Sequence, residues 1–272
     1  CWYERGWPEP GDAARADGRN ALTAHVVESC MKAFGFLSFG HYGHGHGPGD
    51  PNAAQALKDA VEIAVGADEI GVNGAYWRVH HYARQAAAPI PLLSAAGART
   101  KRIEVGTGVI DMRYENPLYL AEEVAALDLL TDQRIAIGIS RGSPEQARRG
   151  WETFGYTGSA DPRGADVARA HTVQFLDAVR GVPQADLDTS GGMTPGASSR
   201  LRIEPHAPGA DRRIWWGAGS RETAEWTARQ GLNLMSSTLL TEATGEGFSH
   251  LQAEQIRRYR EAWKEAGHDW TP

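Results

Sequence analysis

Short apolar runs alternate with longer stretches at helical spacing along most of this chain. Runs of strand length fall at 32–38, 69–74, 102–110, 134–140, 200–204, 213–217 and 232–236. Between them, apolar residues recurring three and four positions apart predict helices over 52–66, 88–99, 117–130, 161–180, 221–230 and 249–266. Ala53, Leu57, Ala60, Val61 and Ala64 share one face of the first helix, and Leu120, Val124, Leu127 and Leu130 share one face of the third. Asp161 followed by Pro162 predicts a cap and a first helical residue. The first four strands recur at the spacing of one βα unit, and their nearly continuous apolar runs suit parallel strands buried on both faces. An α/β fold follows, either a doubly wound sheet or a (β/α)8 barrel. Seven strands are counted where a closed barrel needs eight, so either the last βα unit is missing from this chain or the count is off by one. Residues 181–200, with Pro183, Gly191, Gly192, Pro195 and Gly196, read as a long loop. Residues 1–30 show no sustained period and form an extension, so the domain is expected to run from 31 to 272.

Composition narrows the partners. Among 272 residues, 28 Lys and Arg against 34 Asp and Glu leave a net charge of −6. Nucleic acid and anionic membrane surfaces both attract basic fields, so neither is an expected partner. A hydrophobic fraction of 41% with 23% charged residues is that of a globular protein. No apolar stretch reaches the roughly 20 residues of a membrane helix, and no signal peptide is legible. The two cysteines, Cys1 and Cys30, cannot form a disulfide framework, and a cytoplasmic location is the expectation.

Four segments could carry chemistry. In Arg213–Thr223 a strand ends, Gly217 and Gly219 make a turn, and Ser220 precedes a helix whose free N–H groups suit an anion. Glu222 stands where a dinucleotide fingerprint has its third glycine and would repel a pyrophosphate. Ser140 and Arg141 close the fourth strand, and a barrel gathers such strand ends at its active site, where Arg141 could clamp a phosphate. Thr107, Gly108 and Val109 end the third strand, where glycine lets a flat ligand approach the backbone. His80 and His81 are adjacent and cannot share a face, so one can serve a pocket as acid, base or donor while the other packs. A fifth cluster, His44 and His46 in a glycine-rich loop with His206 far downstream, leaves open a metal-dependent barrel hydrolase; a flexible loop that happens to hold histidines is the plainer reading.

Taken in order, Met31–Leu37, Val79–Tyr82, Val105–Ile110, Asn116–Pro117, Ala121–Asp128, Arg134, Gly138–Gly142 and Ala224–Gly231 resemble the bacterial luciferase-like monooxygenase family. The resemblance implies a (β/α)8 barrel, lacking its last βα unit in this chain, that binds reduced FMN or the deazaflavin F420. By position it makes His80 the catalytic histidine and Arg141 the phosphate-binding arginine. Ser220 and Thr223 become the phosphate-site hydroxyls, with Gly219 contributing backbone beside them. It places a non-prolyl cis peptide at Gly108–Val109, and Thr107 and Ser140 join the cofactor-binding set. It implies a monooxygenase acting with oxygen on a small organic substrate, supplied with reduced flavin by a separate reductase, in a homodimer. Val79 stands where the family motif has glutamate, Gly219 where it has another, and Ser140 where luciferase has a reactive cysteine; these departures argue against bioluminescence. An F420-dependent hydride-transfer enzyme and a non-catalytic flavin-binding relative stay open beside this reading.

Overall fold

A computed structural model describes residues 33–43, 49, 51–142, 145–188, 199–237 and 245–272. The extension 1–30 and the histidines His44 and His46 lie outside the described residues. The elements in order are β1 (Gly35–Ser38), α1 (Ala53–Glu69), β2 (Gly74–Trp77), α2 (Pro89–Arg99), β3 (Glu104–Asp111), α3 (Pro117–Leu130), β4 (Ile135–Ser140) and α4 (Ala165–Val179). There follow β5 (Ala185–Asp186), β6 (Arg200–Leu201), β7 (Ile214–Ala218), α5 (Arg221–Arg229), β8 (Asn233–Ser236) and α6 (Phe248–Ala266).

Six strands form one wholly parallel sheet in the order β1-β2-β3-β4-β7-β8. The sheet curls: a Cβ built on Gly108 of β3 would lie 2.9 Å from Leu37 of β1 and 4.0 Å from the sulfur of Met235 of β8. First and last strands thus lean toward each other across the concave face, as in part of a barrel wall. Among the described residues β1 and β8 each pair on one side only, so no closed eight-stranded barrel is present.

Three sequence expectations shift. The strand expected at 69–74 lies at Gly74–Trp77, because α1 continues to Glu69 and Gly71, at φ +89°, turns the chain first. The run 200–204 gives only Arg200–Leu201, paired antiparallel with Ala185–Asp186 in an exposed ribbon, so it is no barrel strand. The count therefore falls from seven to six, and β7 pairs directly with β4. The helix expected from Asp161 begins at Ala165. Asp161 takes the N–H groups of Arg163, on its carboxylate, and of Gly164, on its carbonyl, which closes a turn before the helix instead of capping it.

Local rules account for the remaining boundaries. The Asn52 side chain caps α1 at the Gln55 N–H, and Asn116 caps α3 at the Leu118 and Tyr119 N–H groups, with Pro117 at the first helical position. The buried stripe of α1 is Ala56, Ala60, Ala64 and Ala67, while Leu57 faces out. Small residues let that helix lie close on the sheet. On α3 Leu120, Val124 and Leu127 are buried as expected, and Leu130 is exposed at the helix end. Every residue of β4 is buried, as a central parallel strand requires.

Two ionic ties lock the helical layer to the sheet. The Asp68 carboxylate, held below its usual pKa by the N–H groups of Lys101, Ile103 and Arg102 against the opposing effect of burial, anchors the entry to β3. Arg213, at the start of β7, meets Asp128 of α3 through Nε at 2.7 Å and a terminal nitrogen at 2.6 Å.

Candidate functional site

Parallel strands bring their C-terminal ends to one edge of the sheet. There the ends of β2, β3, β4, β7 and β8 enclose a cleft of about 560 Å³, within the usual range for small-molecule sites. Of the residues singled out from sequence, His80, Gly108, Val109, Ser140, Arg141, Gly219, Ser220 and Thr223 all line it. Thr107 does not: its side chain is fully buried and donates to the Gly138 carbonyl at 2.8 Å, tying β3 to β4. Strand alternation turns it away from Gly108, and the register shift between Thr107 and Ile110 lets Val109 reach the cleft as well. The Gly108–Val109 peptide is cis, as the resemblance implies.

At one end of the cleft β4 and β7 lie side by side, so Arg141 and the 217–220 turn come from adjacent strands. Ser220 caps α5: its Oγ accepts the Thr223 N–H at 3.2 Å and lies 2.8 Å from Thr223 Oγ1. Arg141 is half-buried and has no carboxylate within ion-pair distance among the described residues. Burial, with the charges of Arg163 and Arg113, pushes its pKa down, against the weaker pull of Asp161 and Asp111. A guanidinium with no ion-paired carboxylate among the described residues, in one cleft with a helix N-terminus and two hydroxyls, suits an anion. Gly142, at φ +87°, makes the turn possible, since a Cβ there would fall 1.9 Å from the Asp111 carboxylate.

Asp111 is itself occupied. Arg113 donates to both of its oxygens, stacks 4.4 Å from the Trp151 ring centre, and approaches Glu145 at 3.4 Å. Burial raises the Asp111 pKa against the pull of Arg113. Glu145 accepts the Tyr114 hydroxyl. This buried polar cluster walls the cleft behind Arg141.

Both histidines reach the cleft, although adjacent side chains were expected to divide between pocket and core. His80 Nε2 accepts from Arg78 Nε at 3.0 Å. Burial, followed by the Arg78 charge, lowers its pKa. His81 stacks on Tyr114 at 4.2 Å and against Phe154 at 5.2 Å. Its Nε2 is buried without a hydrogen-bond partner, 3.9 Å from Glu115 Oε1. Burial, then the charges of His80 and Arg113, push His81 down to about 4. Burial, then the charges of Glu123 and Asp111, push Glu115 up to about 7. Both groups are therefore neutral over much of the mildly acidic range.

These two shifts pull stability in opposite directions. Folded His81 holds fewer protons than its unfolded form, so its contribution rises as pH climbs from about 4 to the ordinary 6.5. Folded Glu115 holds more, so its contribution falls as pH climbs from the ordinary 4.5 to about 7. Glu115→Gln removes only the falling limb. Urea denaturation across this range should show the variant gaining on the wild type with rising pH, by roughly 1–3 kcal/mol at pH 8. A difference independent of pH would show that Glu115 is not held protonated.

Arg78, Arg163, Arg169, Asp111, Glu145, Trp216 and Trp226 line the cleft without having been marked from sequence. Arg78 could have been found, because it stands directly beyond the end of β2, two residues from His80. Arg163 and Arg169, the latter 5.6 Å from the Trp226 ring centre, arrive by tertiary folding from the loop before α4 and from α4 itself. His206 does not line the cleft: its ring packs against Gly181, just beyond the end of α4. Among the described residues, the cleft holds no histidine set for the metal reading.

The sequence profile of the luciferase-like monooxygenase family matches residues 31–272. The oxygenase component of the flavin-dependent trigonelline monooxygenase of Acinetobacter baylyi is 25% identical over 192 residues, covering 68% of this chain and 49% of that protein. The oxygenating constituent of 3,6-diketocamphane monooxygenase from Pseudomonas putida, solved with FMN, matches at a TM-score of 0.61 and 18% identity, over 88% of this chain and 64% of that one. An F420-dependent secondary alcohol dehydrogenase matches at a TM-score of 0.59 and 17% identity, over 87% and 65%. At these identities the structural matches show the fold. The chain spans about half the length of the curated relatives it matches.

Proposed function

This chain belongs to the luciferase-like monooxygenase family, and on that premise we propose that it is a flavin-dependent monooxygenase acting on a small organic substrate with reduced FMN and oxygen. The observation that carries the reading is the half-buried Arg141, without a carboxylate partner among the described residues, beside the Ser220-capped start of α5. A dianionic phosphate satisfies both features at once. Arg141, Ser220, Thr223 and the Gly219 backbone would hold the phosphate. Gly108 and Val109, with Gly217 opposite, would offer the ring a wall without bulky side chains; a Cβ on Gly217 would stand 3.2 Å from Val109. The residues present thus fit a flavin.

Bound reduced flavin would supply the electrons for oxygen activation. This chain's residues would orient the ring, limit water and hold a proton near the reacting centre at His80. No nicotinamide fingerprint is legible, so reduced flavin would come from a separate reductase, as befits a relative named as an oxygenase component. A second reading, hydride transfer with F420, draws support from Arg163 and Arg169 in the same cleft, which suit a longer anionic tail.

Titrating the protein with FMN and with F420, followed by absorbance and fluorescence, tests the choice. Saturable FMN binding stronger than that of F420 is expected. Binding of F420 alone would transfer the assignment to the hydride-transfer reading, and binding of neither would remove both.

A further inference from the structure

We infer that Arg78 is a positioning residue that fixes His80 as a neutral imidazole with its proton on Nδ1. Its bearing on catalysis rests on the placement of His80 at the reacting centre proposed above; the tautomer itself does not.

The argument starts at the end of β2. Beyond Trp77, the last residue of β2, residues 78 to 81 all line the cleft, with Val79 only 1% exposed. Arg78 and His80 both face the cleft, with Arg78 Nε 3.0 Å from His80 Nε2. A guanidinium has donors and no acceptor, so the imidazole nitrogen that meets it must present a lone pair. A neutral imidazole with its lone pair on Nε2 carries its hydrogen on Nδ1. Protonating Nε2 would set two N–H groups head to head and place two positive charges in contact.

The surroundings reinforce the arrangement. The Arg78 guanidinium lies 5.0 Å from the Phe39 ring centre, which restrains it at the cleft wall. Phe39 also stacks on His41 at 5.2 Å, and the Gln85 amide donates to His41 Nε2 at 2.7 Å. Of the groups acting on His80, Arg78 and His41 disfavour the charged ring, and the Gln85 hydrogen bond favours it. His81, next in the chain, is itself kept neutral by burial. His80 Nε2, held by Arg78 Nε, is not free to take a proton.

The test is nuclear magnetic resonance of the full chain labelled with 15N histidine, read through two-bond couplings to the ring protons. In the wild type His80 should show a protonated Nδ1 and an unprotonated Nε2. Arg78→Met should allow the Nε2–H tautomer to appear and raise the His80 pKa. Arg78→Lys, which keeps a charged donor, should retain the wild-type tautomer. An Nε2–H tautomer in the wild type overturns the inference without recourse to any variant, and so does an unchanged His80 spectrum and titration in Arg78→Met. FMN titration of the same samples separates the two ideas: loss of FMN binding with the tautomer intact counts against the proposed function alone.

Discussion

Arg141→Ala should weaken FMN binding by roughly 10- to 150-fold, the loss of one charge-assisted bond worth about 1.5–3 kcal/mol. Riboflavin, which lacks the phosphate, should lose little. The contrast between the two ligands is the informative measurement. Arg141 stands beyond the last residue of β4 and Ser220 beyond the last residue of β7, and these strands are neighbours in the sheet. An anion between them meets a full positive charge from one side and α5's first N–H groups, with the Ser220 and Thr223 hydroxyls, from the other. No carboxylate among the described residues takes the guanidinium first. Equal losses for FMN and riboflavin, measured by fluorescence titration, would mean that Arg141 supports the ring or the fold and that the phosphate lies elsewhere.

The largest expected effect on stability is at the opposite edge of the sheet. Asp128 is 1% exposed at its side chain and Arg213 12% exposed, and two hydrogen bonds join them. Asp128→Ala leaves a guanidinium with little access to water and no counter-charge, which costs about 3–5 kcal/mol. The pair ties α3 to the start of β7, the strand that leads into the 217–220 turn. Urea unfolding should show the full loss in Asp128→Ala and a much smaller one in the apolar double variant Asp128→Leu with Arg213→Met, since removing both charges leaves neither stranded. A loss below about 1 kcal/mol in the single variant would mean that Arg213 finds water or another partner.

Much of the cleft could be read from the chain because its chemistry lies at strand ends. A parallel sheet brings all such ends to one edge, so recognising where β2, β3, β4 and β7 stop was enough to group His80, Gly108, Val109, Arg141, Ser220 and Thr223 without knowing any distance. The Thr107 side chain faces β4 and not the cleft, because one-residue alternation decides which side chains face it, and the register shift between Thr107 and Ile110 obscures that phase in the sequence. Arg163 and Arg169 carried no local signal, since an arginine before or on a helix is ordinary in sequence.

The sequence by itself determined what short-range physics dictates: helix starts at Asn52, Asn116 and Ser220, the βα alternation, the parallel character of the fully apolar β4, and the family. Tertiary structure decided what depends on neighbours distant in the chain. Apolar character alone could not separate the turn at 70–73 from the strand at 74–77; pairing with β1 and β3 did. The run at 200–204 had strand-like residues, but β4 and β7 pair directly with each other and leave it no place between them. Burial, finally, set the charge states. His81 and Glu115 are ordinary titratable residues in the sequence, and both are driven toward neutrality because the fold removes the water that would solvate their charges.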